Sequence, residues 1–306
     1  MIRRKFIQKT SSGILVLGLA GISNQLFAKG YTSKITILHT NDVHSRIEPF
    51  PLDGGKYQGL GGIAKRSTLI EKIRKEEKNV LLFDCGDILQ GTPYFNFYKG
   101  SIEFELMNKM RYDAGTIGNH DFDAGIEKLS EHLKSSNFQM LNCNYGFKNT
   151  PLSSSIDPYK IFEKDNLRIG VFGVGIKLDG LVPAALIGET QYNDPLENAN
   201  KTANVLKNEL QCDLVVCLSH LGYKYESKKV SDVVLAQNSS DIDLILGGHT
   251  HTFLEVPSSI KNKKGKEVLV NQVGWAGIRL GRLDFHFTET KKLKRKKVLP
   301  SSIPVE

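Results

Sequence analysis

Five short apolar runs in this chain each end in a small polar island, and that pairing of run and island constrains the fold more than anything else. The runs cover residues 35–39, 80–84, 114–117, 214–219 and 244–247. The islands that follow hold Asp42-Val43-His44, Gly86-Asp87, Gly118-Asn119-His120-Asp121, His220, and Gly248-His249 with His251 close behind. Apolar runs of this length read as buried strands. Helix-period stretches lie between many of them, at 63–78, 103–110, 126–135, 196–210 and 230–236. Strand–helix alternation argues for an α/β architecture with largely parallel strands. Ligands of open α/β sheets bind beyond the carboxyl ends of the strands, which is where every island falls.

The islands are chemically uniform. They supply two carboxylates (Asp42, Asp87), one carboxamide (Asn119) and the imidazoles of His44, His220, His249 and His251, with no thiolate. Such a set suits hard or borderline divalent ions such as Mn, Zn, Fe, Co or Mg, and there are enough ligands for two. Side chains at i and i+2 of an extended backbone point the same way. Asp42 with His44, and His249 with His251, are therefore expected to present two ligands each. Gly86, Gly118, Gly247 and Gly248 are expected to let the chain turn sharply beside the ions.

Further runs at 140–143, 168–174, 268–273 and 280–287 continue the pattern, and the strand-rich final third predicts a mixed second sheet. A chain of 306 residues, 40% of them hydrophobic, suits this architecture. The segment 145–157, rich in Asn, Ser and Pro, reads as a surface excursion. Cys85, Cys143, Cys212 and Cys217 lie in or beside apolar runs without metal-knuckle spacing and read as buried free thiols. The basic run 291–297 reads as a solvated turn guarding a sheet edge, with a docking patch as the alternative.

The first 28 residues stand apart. Arg3, Arg4, Lys5 and Lys9 precede an apolar stretch over 13–22, and Leu26-Phe27-Ala28 offers a cleavage site. This is an export signal of twin-arginine type, and its apolar stretch is short of the ~20 residues that span a membrane. No stable membrane anchor is expected, and the mature protein would be periplasmic or otherwise exported. Removal of those four cations takes the formal net charge from +8 to +4. So mild an excess gives no reason to expect nucleic-acid binding.

Taken together, Asn41-Asp42-Val43-His44-Ser45-Arg46, Cys85-Gly86-Asp87, Gln90-Gly91-Thr92-Pro93, Gly118-Asn119-His120-Asp121, Ser219-His220, Gly248-His249-Thr250-His251 and Gln272-Val273-Gly274 resemble the calcineurin-like metallophosphoesterases. They are most similar to the catalytic half of bacterial periplasmic 5'-nucleotidases, a group that includes UDP-sugar hydrolases and 2',3'-cyclic-nucleotide phosphodiesterases. The resemblance covers about residues 34–290 and implies a four-layer α/β/β/α sandwich of two mixed sheets flanked by helices. It implies that Asp42, His44 and His251 hold one metal and Asn119, His220 and His249 the other, with Asp87 bridging. Two ions about 3.5–4 Å apart would activate a water and clamp phosphate oxygens for in-line attack. His120 would serve the leaving group, oriented by Asp123, while Asp121 is taken as structural. The expected activity is a 5'-nucleotidase-like phosphomonoesterase acting on a small phosphorylated substrate, a nucleotide.

Several readings stay open at this level. Arg46 is a candidate phosphate contact, with a structural ion pair as the alternative. The aromatic run 94–98, Tyr223 and Tyr225 read as packing more readily than as base-stacking surfaces. His39, His132 and His286 read as core histidines. Residues 29–306 form the expected catalytic domain, without the second, nucleotide-binding domain of those nucleotidases, so a separate nucleotide-binding subunit is an expected partner. Cyclic-nucleotide phosphodiesterase, nucleotide-sugar pyrophosphatase and sulfur-ester hydrolase remain the enzymatic alternatives. A low-turnover metal-binding accessory subunit is the alternative of another class.

Overall fold

The computed structural model describes residues 33–288 and 295–306. The expected export signal at 1–28 lies outside the described residues, as does most of the basic run. Within a parallel core, Ser33–Thr40, Val80–Asp84, Ala114–Gly115, Gln139–Leu141 and Ile156–Asp157 stand side by side. Arg279–Thr288 adds antiparallel to Ser33–Thr40, and Arg295–Pro304 pairs with it to complete seven strands. A six-stranded sheet is built around Leu214–His220, which runs parallel to Leu167–Gly175 on one side and Leu244–Leu246 on the other. Both sheets are mixed, because the chain's last strands divide between them: Ser258–Lys261 and Glu267–Asn271 join the second sheet before the chain returns to the first.

Period-two alternation sorts the side chains into layers. Ile35, Ile37, Leu81 and Phe83 of the first sheet meet Ile169, Val171, Leu214, Val216 and Leu218 of the second in an inter-sheet core. Leu38 and Leu82 point the other way, into a core with Ile70 and Ile73 of helix Ile63–Glu76, Phe104 and Met107 of Ser101–Met110, and Leu129 of Ile126–Lys134. Phe172, Val174, Val215 and Cys217 face Ala199 and Ala203 of Pro195–Asn204 and Leu235 of Asp232–Asn238. Helix, sheet, sheet, helix: the four-layer sandwich is the observed architecture.

Two expectations need correction. Residues 145–157 are a surface excursion only in part: Lys148, Asn149, Pro151, Ser153 and Ser154 are exposed, but Tyr145, Phe147 and Leu152 are buried in the first helical core. Asn144, just before the segment, anchors it by donating from Nδ2 to the Gly175 carbonyl (3.0 Å) and accepting from the Gly175 amide (2.8 Å). The helix expected over 196–210 ends at Asn204 and continues as a wider π-helical turn, Val205–Glu209. The four cysteines are free as expected, three buried and Cys143 half-buried. His39 is buried against Asn271, and His132 stacks on Phe104 while bonded to the Lys99 carbonyl.

Candidate metal centre

Parallel register puts the strand ends on one rim: Thr40 lies beside Asp84, and His220 beside Gly175. The loops that leave these ends bring all seven predicted ligands together. Nitrogen and oxygen atoms of Asp42, His44 and His251 lie within 4.8 Å of one another, as do those of Asp87, His220 and His249. Asn119 joins the second group, its Oδ1 2.9 Å from His249 Nδ1. Asp87 sits between the groups, with Oδ2 3.1 Å from His220 Nε2 and 3.9 Å from His44 Nε2.

The backbone reaches this arrangement differently from the expectation. Asp42, His44, Asp87, His249 and His251 have φ between 50° and 71°, the left-handed region, so extended geometry is not what aims them. Each such non-glycine residue costs on the order of 1–3 kcal/mol and persists only where its surroundings over-determine it. Of the four glycines, only Gly86 has positive φ (85°). A Cβ there would lie 2.5 Å from the Gly118 amide nitrogen, and one on Gly118 would collide with Asp87. This pair allows two loops to touch.

Buried amides hold the strained turns. Gln272, fully buried, donates from Nε2 to the Gly248 carbonyl (2.6 Å) and accepts at Oε1 from the Thr250 hydroxyl (3.1 Å) and the Thr252 amide. Asn41 donates to Asp42 Oδ2 (2.5 Å) and to the Gly274 carbonyl (2.6 Å), and accepts from the Val273 amide (3.0 Å). Both Asp42 oxygens accept the His249 amide. Asp121 takes four backbone amides, from Asp87, Ile88, Leu89 and Gly118 (2.8–3.2 Å), which is the structural part expected of it. Asn41 and Gln272 were visible only as motif members. Gln272 also obeys the strand-end rule, directly after Glu267–Asn271.

The donor chemistry fits divalent cations. His220 Nδ1 donates to the Cys85 carbonyl (2.7 Å), which turns the buried Nε2 toward the Asp87 carboxylate at 3.1 Å. His44 Nδ1 donates to the Leu89 carbonyl (3.2 Å), so its Nε2 faces His251 Nε2 at 3.0 Å. Carbonyls on the far ring nitrogens are how histidine ligands are usually oriented. Burial opposes a charged His220, yet the adjacent Asp87 overrides it and holds the imidazole up at about 10, while Asp87 itself is held well below the carboxylate range despite burial. Without an ion the two therefore form an imidazolium–carboxylate pair, and a divalent cation would bind by displacing the proton between them. Burial and the neighbouring His220 push His249 down to about 4, the neutral form that ligates.

Above this floor opens a cleft of about 340 Å³. His120 lines it, with Nδ1 2.8 Å from Asp123 Oδ2, a hydrogen bond that raises its pKa against partial burial. Arg46 also lines it, its guanidinium 4.2 Å over the Phe50 ring and in no ion pair with a described residue, so the ion-pair alternative fails. Of the aromatic run only Phe95 is buried; Tyr94 stacks on Tyr98, while Tyr98 and Phe97 are exposed, and none of them lines the cleft. Tyr223 bonds Ser258, and Tyr225 bonds the Leu221 carbonyl. Trp275, unremarked in the sequence, forms one wall.

The profile of the calcineurin-like phosphoesterases matches residues 35–253. The chain belongs to that family. It is 35% identical over 283 residues to snake venom 5'-nucleotidase of Naja atra, covering 85% of this chain and 51% of the relative. The 5'-nucleotidase precursor from Thermus thermophilus superposes with a TM-score of 0.80 at 30% identity, over 89% of this chain and 54% of that one. The calcineurin-like phosphoesterase YfkN from Bacillus subtilis gives 0.71 at 25% identity, over 89% and 91%. The chain thus spans about half the length of the curated 5'-nucleotidases it matches.

Proposed function

We propose that this chain is an exported two-metal phosphoesterase of 5'-nucleotidase type, with 1–28 as a twin-arginine export signal and 29–306 as the catalytic domain. Asp42, His44 and His251 would hold one divalent ion, Asn119, His220 and His249 the other, and Asp87 would bridge them. The observation that carries this reading is the convergence of the donor atoms of Asp42, His44 and His251, and of Asp87, His220 and His249, into two groups each within 4.8 Å, with backbone carbonyls orienting His44 and His220 from behind. Bound Mn, Zn or Fe supplies Lewis acidity toward the phosphate and the attacking water.

The chain's own residues complete the chemistry. Asp123 accepts from His120 Nδ1, which leaves Nε2 to carry the proton delivered to the departing oxygen. The same hydrogen bond raises the His120 pKa and favours the protonated form. Arg46, charged and unpaired at the cleft, would contact a phosphate oxygen. The 5'-nucleotidases among the relatives support a nucleotide as substrate, and a separate nucleotide-binding subunit is retained as partner.

The test is hydrolysis by the purified protein, stripped of metal and reloaded with Mn or Zn. Substrates are AMP, UDP-glucose, 2',3'-cyclic AMP and bis-p-nitrophenyl phosphate. AMP is expected to turn over fastest, with loss in Asp87→Asn and His120→Ala. Strong AMP turnover by the chain alone removes the need for a partner subunit. Absence of turnover on every ester with both ions bound would sink the phosphoesterase reading.

A further inference from the structure

One wall of the cleft is a single large aromatic side chain. Trp275 is the one tryptophan of the chain, and no other large apolar residue lines the cleft. Its position is set by its backbone: the next residue, Ala276, donates its amide to the Asp42 carbonyl (2.7 Å) from a left-handed turn (φ 56°). The loop that carries the indole is therefore tied to a candidate metal ligand. Its orientation is set by its neighbours. The indole lies parallel to the His251 ring (centroids 5.8 Å, 7°), while Phe50 (5.7 Å, 77°) and Tyr57 (6.3 Å, 82°) meet it edge-on. Tyr57 is backed in turn by Phe253 (6.2 Å, 25°).

Such a cluster holds the indole rigid, so little conformational entropy would be lost when a ligand lies against it. The cation is on the same side, because Arg46 lines this cleft and packs over Phe50 of the same cluster. A positive group for an oxygen anion and a fixed π-surface beside one metal group suit a ligand with a phosphate at one end and a flat ring at the other. The indole's contact with His251 by itself is also what a purely mechanical prop would make, so the test has to separate the two roles.

We propose that Trp275 is the stacking wall of a subsite for a flat, π-rich leaving group, a nucleobase or an aryl ring, on the alcohol side of the ester. The proposal rests on the phosphoesterase reading for its substrate, but binding at this wall is measurable without turnover. Trp275 is its own probe. In the metal-loaded full-length protein, adenosine and p-nitrophenol are titrated separately against tryptophan fluorescence, with ribose 5-phosphate as the ring-free control. Saturable quenching by adenosine, by p-nitrophenol or by both is expected, and the pattern tells which ring the wall takes; ribose 5-phosphate should leave the emission unchanged.

Steady-state kinetics then compare AMP with ribose 5-phosphate in wild type, Trp275→Ala and Trp275→Phe. The alanine variant should lower the ratio of their kcat/KM values about tenfold, chiefly through the KM for AMP, and phenylalanine should restore most of it. Equal losses on both substrates, with weakened metal binding, would reduce Trp275 to a prop for His251 and overturn the proposal. Turnover of AMP with no quenching by either ring would overturn the subsite alone. Quenching with no turnover of any ester would overturn the phosphoesterase reading and leave the subsite standing.

Discussion

Two charge clusters lie at opposite ends of Ser33–Thr40, one half-buried and one largely buried, and they are built on opposite principles. Near the start of Ser33–Thr40, Lys34, Glu77, Arg282 and Asp284 alternate in sign and satisfy one another. Lys34 bonds Glu77 at 2.7 Å, and Arg282 bonds Glu77 at 2.5 Å and Asp284 at 3.0–3.2 Å. Thr36 adds a hydroxyl to Asp284 at 2.8 Å. At the other end of that strand, Asp42, Asp87 and four imidazoles converge in two groups of candidate metal donors. The first cluster is complete as it stands and stabilises the sheet. The second is held together by amides behind it and is complete only with cations in front. Buried charges are informative when their partners are missing, since desolvation without compensation is too costly to keep without a use.

The contrast can be broken at several points. The largest effect is expected from Asp87→Asn, which removes the carboxylate between both ligand groups: metal content by mass spectrometry should fall at both sites and turnover should vanish. Retention of two ions would refute the bridging position. His120→Ala should keep both ions and lower kcat by about 10²–10⁴-fold, the usual worth of a general acid. Gln272→Ala touches no ion, yet it frees the turn that carries one histidine of each group. Both affinities should weaken together, by about 10–100-fold in a chelator competition; loss at one site alone would mean the two histidines are held independently.

The smallest change belongs to the paired cluster. Asp284→Ala should cost about 1–3 kcal/mol in chemical denaturation and leave turnover intact. Burial works against the Asp284 carboxylate, but the Arg282 hydrogen bond and charge hold its pKa below the ordinary value. Its stabilisation is thus present above the unfolded value of about 3.9 and lost as pH falls through the lower folded one. Asp284→Asn should accordingly flatten the acid-side decline of Tm below about pH 4. An unchanged acid limb would remove Asp284 from the stabilising set.

How legible this was depends on how local each signal is. Val80–Asp84 was readable residue for residue because five consecutive apolar or strand-ending side chains carry their own boundary. The seven ligands were readable because each follows such a run at once and its residue type announces its chemistry. The burial of Tyr145, Phe147 and Leu152 was not, because the anchor that turns them inward, Asn144, bonds Gly175, 31 positions away. The same limit hid Trp275, whose neighbours Phe50 and Tyr57 come from one distant loop and His251 from another.

The four layers followed from the family resemblance, but from residue chemistry and the two short periodicities alone the chain declared an α/β class, its rim of strand ends and a ligand set fit for two divalent ions. Those properties are local, written into runs of fewer than about ten residues. Tertiary structure decided the rest: the left-handed turns at five of the ligands, the Asn41 and Gln272 brackets that hold them, and the aromatic wall above them. Asn41 meets the Val273 amide across 232 positions of sequence. A contact of that kind exists only once two sheets have packed and brought their edges together, and no local pattern encodes it.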